Sequence, residues 1–212
     1  MDMLIVASTE QEILPFLEAH PTADHLITGV GAVMTTYHLT KRLQQLGYDL
    51  LIQAGIAGAF NDQLPPASVV VVERECFSGA GIFEAGRLNS LFDAGLWKED
   101  SPFEDSWLIN SNPVLTELPW KKVRAATTDF LTDDPLTNGK VYSKYNPDVE
   151  SMEGAAFHYV SLIENIPFLQ IRAISNLVGE RDKSRWKMKE AISALNEALN
   201  HLYSEFKCNN EA

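Results

Sequence analysis

Residues 3–19 read Met-Leu-Ile-Val-Ala-Ser-Thr-Glu-Gln-Glu-Ile-Leu-Pro-Phe-Leu-Glu-Ala. The first five are apolar without alternation, the pattern of a strand covered on both faces. The next five are polar and carry a helix start, with Thr9 as N-cap and Glu12 three residues later, the spacing of a capping box. Strand followed by polar turn followed by helix is the repeating unit of an α/β fold. The same reading extends along the chain. Strands are predicted over Met3–Ala7, His25–Thr28, Leu50–Gln53, Ser68–Glu73, Val123–Thr127 and Pro167–Ile174. Helices are predicted over Glu10–Ala19, Ala32–Leu46, Glu153–Glu164 and Lys183–Phe206. In the last helix Met188, Ile192, Leu195, Leu199, Leu202 and Phe206 recur at spacings of four and three, giving one apolar stripe. The prediction is a single α/β domain over 1–207: a central mixed, mostly parallel sheet flanked by helices in three layers. A polar tail follows over 208–212. Residues 77–112, rich in glycine and aromatic residues, read as a long excursion within that domain.

Bulk properties narrow the function. The 212 residues carry 17 Lys+Arg against 29 Asp+Glu, a formal net charge of −12. That disfavours nucleic acid and anionic membranes as partners. No apolar run reaches the about 18 residues of a membrane span. The N-terminus enters an apolar strand with no basic region before it, so no secretory signal is expected. Cys76 and Cys208 lie far apart, and the five histidines show no ligand spacing. A reducing cytoplasm, no metal and no cofactor are the expectations.

Open α/β sheets bind ligands at the carboxyl ends of their strands. Five junctions there can carry chemistry. Ser8–Glu12 is either a plain helix start or a site for Glu12 as a base. Thr28-Gly29-Val30-Gly31-Ala32 and Gln53-Ala54-Gly55-Ile56-Ala57-Gly58 each let backbone approach a ligand closely, and each also fits a tight turn. Neither is a dinucleotide or Walker loop. Val149-Glu150-Ser151-Met152-Glu153-Gly154 sets two acids at a helix entry, where the helix dipole alone would favour them. Ile171-Arg172-Ala173-Ile174-Ser175-Asn176 puts an arginine inside an apolar strand, which is costly unless the charge is paired.

In this order, the junctions resemble the nucleoside phosphorylase/nucleosidase superfamily over nearly the whole chain. The likeness is to its 5′-methylthioadenosine/S-adenosylhomocysteine nucleosidase branch. "SMEGAA" is similar to that branch's Met-Glu pair, "IRAISN" to its Arg-Ala-Ile-Ser-Asp strand end, and "STEQE" to the turn holding its water-activating Glu. "TTDFLTDD" resembles the segment whose Phe stacks near the base. Asn176 stands where the branch has Asp. With "VESMEGAA" and "ISNLVGERD" this looks more like the sister group of futalosine hydrolases, which release hypoxanthine in menaquinone biosynthesis.

The resemblance implies cleavage of an N-ribosidic bond through an oxocarbenium-like ribose. By carry-over Glu12 activates water, and Arg172 orients Glu12 or the water. Glu153 binds the ribose hydroxyls with Met152 against the sugar. Phe130 stacks on the purine, Leu131 meets its edge through the backbone, and Ala57 and Gly58 line the site. Asn176 sits at the N7/O6 side, where its amide can donate to the two acceptors of a 6-oxopurine. No Arg or Lys occurs in the junctions at 8–12, 28–32 and 53–58, so water is the expected nucleophile rather than phosphate. For the aromatic carboxylate on futalosine's 5′ side, Arg181, Lys183, Arg185 and Trp186 form one candidate group. Arg87 with Phe83 or Phe92 forms another. The resemblance also implies a homodimer or higher homo-oligomer. The alternatives are an adenine-releasing nucleosidase, a purine-nucleoside phosphorylase and a catalytically silent nucleoside binder.

Overall fold

The structure is a computed structural model that describes residues 1–208. The first unit is β1 (Met3–Ala7) and α1 (Glu10–Ala19), followed by β2 (His25–Ile27), α2 (Ala32–Leu43) and β3 (Leu50–Ala59). β4 (Val69–Phe77) leads into a hairpin of β5 (Gly81–Glu84) and β6 (Arg87–Ser90), then β7 (Phe103–Glu104), β8 (Trp107–Ile109) and β9 (Lys121–Thr127). The chain closes with α3 (Pro135–Tyr145), β10 (Val149–Ser151), α4 (Gly154–Ile163), β11 (Phe168–Leu177) and α5 (Met188–Cys208). The expected polar tail lies outside the described residues from 209 on, and Cys208 is the last residue of α5.

β1 is buried along its whole length, and its residues alternate between two cores. Met3, Ile5 and Ala7 face Ile13 and Phe16 of α1 and Leu195, Leu199 and Leu202 of α5. Leu4 and Val6 face Leu39 of α2 with Phe157 and Val160 of α4. A strand covered on both sides explains the unbroken apolar run, and the result is a three-layer α/β fold.

The sheet is mixed. β1 pairs in parallel with β2 and β3. β3 also pairs in parallel with β11 and, at its far end, antiparallel with β10. β4 pairs antiparallel with β11 and in parallel with β9, and β9 pairs in parallel with β10. The sequence β3–β11–β4–β9–β10–β3 therefore closes a five-strand ring, with β1 and β2 extending from one side. β3 belongs to both parts: its first residues pair with β1, and its last pair with β10. Strand pairing changes hands along Gln53–Gly58, where a strand's two neighbours diverge and a crevice opens.

Several elements depart from expectation. β3 runs six residues past Gln53, through both Gly55 and Gly58. α5 starts at Met188, because Lys183–Arg185 forms a separate 3₁₀ turn capped by Asp182. The 77–112 excursion joins the sheet through β8 on β4. α3 and β10 were not foreseen. No helix among the described residues is long and apolar enough to cross a membrane.

Candidate active site

A cavity of about 320 Å³ opens where β3 diverges. Its wall brings together the turn after β1, the end of β3, the β10–α4 junction, the end of β11 and the start of α5. Glu12, Ala57, Gly58, Leu131, Met152, Glu153 and Asn176 all line it. Arg172 lies behind the wall, and Phe130, 48% exposed, is not part of the lining.

Glu12 reconciles its two readings. Its Oε2 accepts from the Thr9 backbone N–H at 3.0 Å, as a capping box requires, and from the Ser8 and Thr9 hydroxyls at 2.9 Å each. Its Oε1 accepts from the Ile56 N–H at 3.1 Å. The carboxylate is thus fixed between two strand ends while it faces the cavity. The Asn196 amide on α5 donates to the Glu12 carbonyl at 2.8 Å and anchors the turn from behind.

Glu153 is buried beside it. One oxygen accepts from the Gly31 N–H at 2.9 Å, and the other lies 3.9 Å from Arg172 Nη1. Gly31 has φ 100°, a left-handed conformation that lets α2 start with its N–H turned to Glu153. Burial raises the Glu153 pKa, opposed first by Arg172.

Arg172 is the only buried Lys or Arg among the described residues. Its Nη2 donates to Gln53 Oε1 at 2.9 Å, and its Nη1 leans on the Ile56 carbonyl at 3.5 Å. Its ion pair is with Glu153, whereas the resemblance implied that it orients Glu12 or the water. Gly55 makes room for it: a Cβ there would overlap Nη1 and come within 3.1 Å of Glu12 Oε1. The strand glycine is the slot through which the guanidinium approaches the carboxylates.

Behind this lies a polar cluster that sequence reasoning missed. Glu75 is fully buried, accepting from Gln170 at 2.9 Å and from Thr127 at 3.0 Å. Burial pushes its pKa up to about 7, and the Gln170 hydrogen bond and Arg172 only partly offset this. Thr127 also accepts from the Ala155 N–H at 2.7 Å, tying the cluster to the start of α4. A Cβ on Gly154 would fall on Glu75. His158 is buried nearby, and burial pulls its pKa down to about 3. Glu75 follows Glu73 and Arg74 in β4, so the sequence shows a charged run with nothing to single out the one acid that is buried.

At the other end of the cavity, Asn176 receives a hydrogen bond from the Ser175 hydroxyl at 2.7 Å and donates to the Leu177 carbonyl at 2.8 Å. One amide N–H remains for a ligand. Of the cations considered for a 5′ carboxylate, Arg181 lines the cavity, 5.5 Å from the Trp186 ring, which also lines it. Arg185 pairs with Glu180 at 2.9 Å. Arg87 sits in the β5–β6 hairpin, away from the cavity.

Comparison with known proteins finds relatives over nearly the whole chain. The futalosine hydrolase of Thermus thermophilus is 30% identical over 95% of both chains. The 5′-methylthioadenosine/S-adenosylhomocysteine nucleosidase of Maridesulfovibrio salexigens is 28% identical over 74% of this chain and 69% of its own. The native structure of futalosine hydrolase from Helicobacter pylori superposes with a TM-score of 0.79 at 16% identity, over 96% of this chain and 97% of that one. The profile of the Phosphorylase superfamily matches residues 26–205, a span that contains the strand-end crevice and every lining group except those of the first turn. On fold and sequence together, the chain belongs to the phosphorylase superfamily.

Proposed function

We propose that this protein hydrolyses the N-ribosidic bond of futalosine, releasing hypoxanthine and leaving the dehypoxanthine product. The observation that carries hydrolysis is Glu12: an immobilised carboxylate facing the cavity, with no Lys or Arg in the three strand-end segments around it. A phosphate would meet that charge at the position of attack, whereas water meets a base. The T. thermophilus relative, aligned over nearly the full chain, supports the substrate.

In this reading Glu12 takes a proton from water as the water oxygen bonds to C1′. Glu153 accepts hydrogen bonds from the ribose hydroxyls, and its charge with that of Glu12 stabilises the cationic ribose. Met152 packs on the sugar. Arg172 keeps two neighbouring acids compatible in one buried site, holding Glu153 directly. Leu131 meets the purine edge through its backbone and Phe130 closes over the base. Asn176 donates to the N7/O6 edge of the 6-oxopurine.

The relatives that are 5′-methylthioadenosine/S-adenosylhomocysteine nucleosidases support a second reading, an adenine-releasing nucleosidase. Exposed apolar residues on α2, with Val33 79% and Tyr37 59% exposed, border a groove shared with Leu96, Trp97 and Phe103. This supports a homodimer or higher homo-oligomer. The working compartment is the cytoplasm, consistent with a buried free thiol at Cys76.

The test is to incubate the protein with futalosine, 5′-methylthioadenosine and inosine, with and without phosphate, and to assay the free base. Phosphate-independent hypoxanthine release from futalosine is expected. Adenine release alone would transfer the assignment to the second reading, and a strict phosphate requirement would overturn hydrolysis. Glu12→Gln should lower kcat by about 10²–10⁴-fold with little change in substrate binding.

A further inference from the structure

Glu150 is absent from the roles above, yet it lines the same cavity. It is the register partner of Gly58 on β10, while Asn176 is the register partner of Gly58 on β11. Directly opposed residues of neighbouring strands project to one face of a sheet. Strand spacing puts the two Cα atoms about 10 Å apart across β3. Gly58 leaves the gap between them open; a Cβ there would come 3.4 Å from Asn176 Nδ2 and 3.2 Å from Val178. An amide and a carboxyl thus flank one glycine at the end of the cavity where the base is read.

No donor of the described chain hydrogen-bonds the Glu150 carboxyl, unlike those of Glu12, Glu75 and Glu153. Its surroundings favour the neutral acid. Burial is the largest influence, and Arg181 opposes it. The other charged groups on the cavity wall are Glu12, Glu153 and Glu180. Its register partners on β9 and β3, Ala126 and Gly58, carry no charge.

Asn176 can donate a hydrogen bond but cannot supply a proton. Resting on the futalosine reading, we propose that Glu150 is the general acid that protonates the departing base. As the C1′–N9 bond breaks, its electron pair passes to the purine. The Glu150 carboxyl proton is transferred to N7, while the Asn176 amide donates to O6. Water supplies the oxygen at C1′ and leaves its proton on Glu12. Hypoxanthine departs neutral; Glu12 then gives its proton to solvent and Glu150 takes one up, which resets both groups for the next turnover.

The experiment is the pH profile of kcat on futalosine for wild type, Glu150→Gln and Glu150→Asp. Wild type should lose rate as pH rises through about 7, where the carboxyl gives up its proton. Glu150→Gln should be about 10²–10³-fold slower and lack that alkaline fall. Glu150→Asp, a shorter acid, should keep a fall at a displaced pH with an intermediate rate. A Gln variant within about threefold of wild type with the same alkaline fall overturns the proposal. If the Gln variant does not fold, an Asp variant with an unmoved fall overturns it equally. Wild-type protein that releases no hypoxanthine from futalosine would instead overturn the substrate reading, before any variant is made.

Discussion

In the proposed reaction Asn176 serves the base and Glu12 the water, and the two side chains are held in different ways. Glu12 is clamped by four donors from two segments. Asn176 is steered by its own neighbours, with Ser175 on its oxygen and the Leu177 carbonyl on its nitrogen. That arrangement fixes the amide with an N–H directed outward, suited to a base whose edge offers only acceptors. Asn176→Asp reverses this choice. Once protonated, an Asp can donate to N7 and accept from a 6-amino group, so the ratio of adenine-nucleoside to futalosine turnover should rise about 10–200-fold. The ratio of kcat/KM values for 5′-methylthioadenosine and futalosine measures it, and an unchanged ratio would remove Asn176 from base recognition.

At the level of elements, β3 carries the site and also shows where sequence reading stops. Its first residues were legible as a buried strand. Gly55 and Gly58 then read as turn residues, because glycine in a strand has no local signature of its own. In the structure both lie within the strand, at positions where side chains from β11 and α1 press against the backbone. The cause is long-range and invisible to any window of sequence. Gly55→Ala should therefore act as a packing lesion in the active site. Its methyl falls on Arg172 Nη1, and relief costs about 1–3 kcal/mol, a fall of several degrees in Tm together with lost turnover. A variant with wild-type melting and full kcat would show that the guanidinium is not held there. The Glu12 turn was legible because the capping box is local. β10, three residues long, and α3, which opens on Pro135 and holds Gly139, gave no periodicity to find. β10 is fixed by the ring it completes, and α3 by Val141 and Tyr145, which pack with Cys76, Leu88 and Ala126.

For the whole molecule, the buried acids couple stability to pH. Glu75 keeps its proton in the folded protein to about 7, against 4.5 for an ordinary glutamate. Between those values the native state binds more protons than the unfolded chain. Stability from this group is therefore complete below pH 4.5 and is lost as pH rises through 7. The loss is on the order of 3 kcal/mol. Glu75→Gln cannot ionise and should shed that slope, gaining on wild type by about this amount between pH 4.5 and 8 in denaturant unfolding. Parallel curves for the two proteins would mean that Glu75 ionises freely inside the fold. The five-strand ring has a different kind of consequence. Gly55, beside Glu12 and Arg172, and Gly58, beside Asn176, are three residues apart on one strand, about 10 Å. Under the proposed function the two ends of the nucleoside are thus handled by separate sets of residues on a shared rail. Descent with modification can exchange the leaving group by altering side chains that flank Gly58 on β10 and β11, while the bond-breaking end at Gly55 passes on untouched. One scaffold could in this way give rise to enzymes for both amino- and oxo-purines.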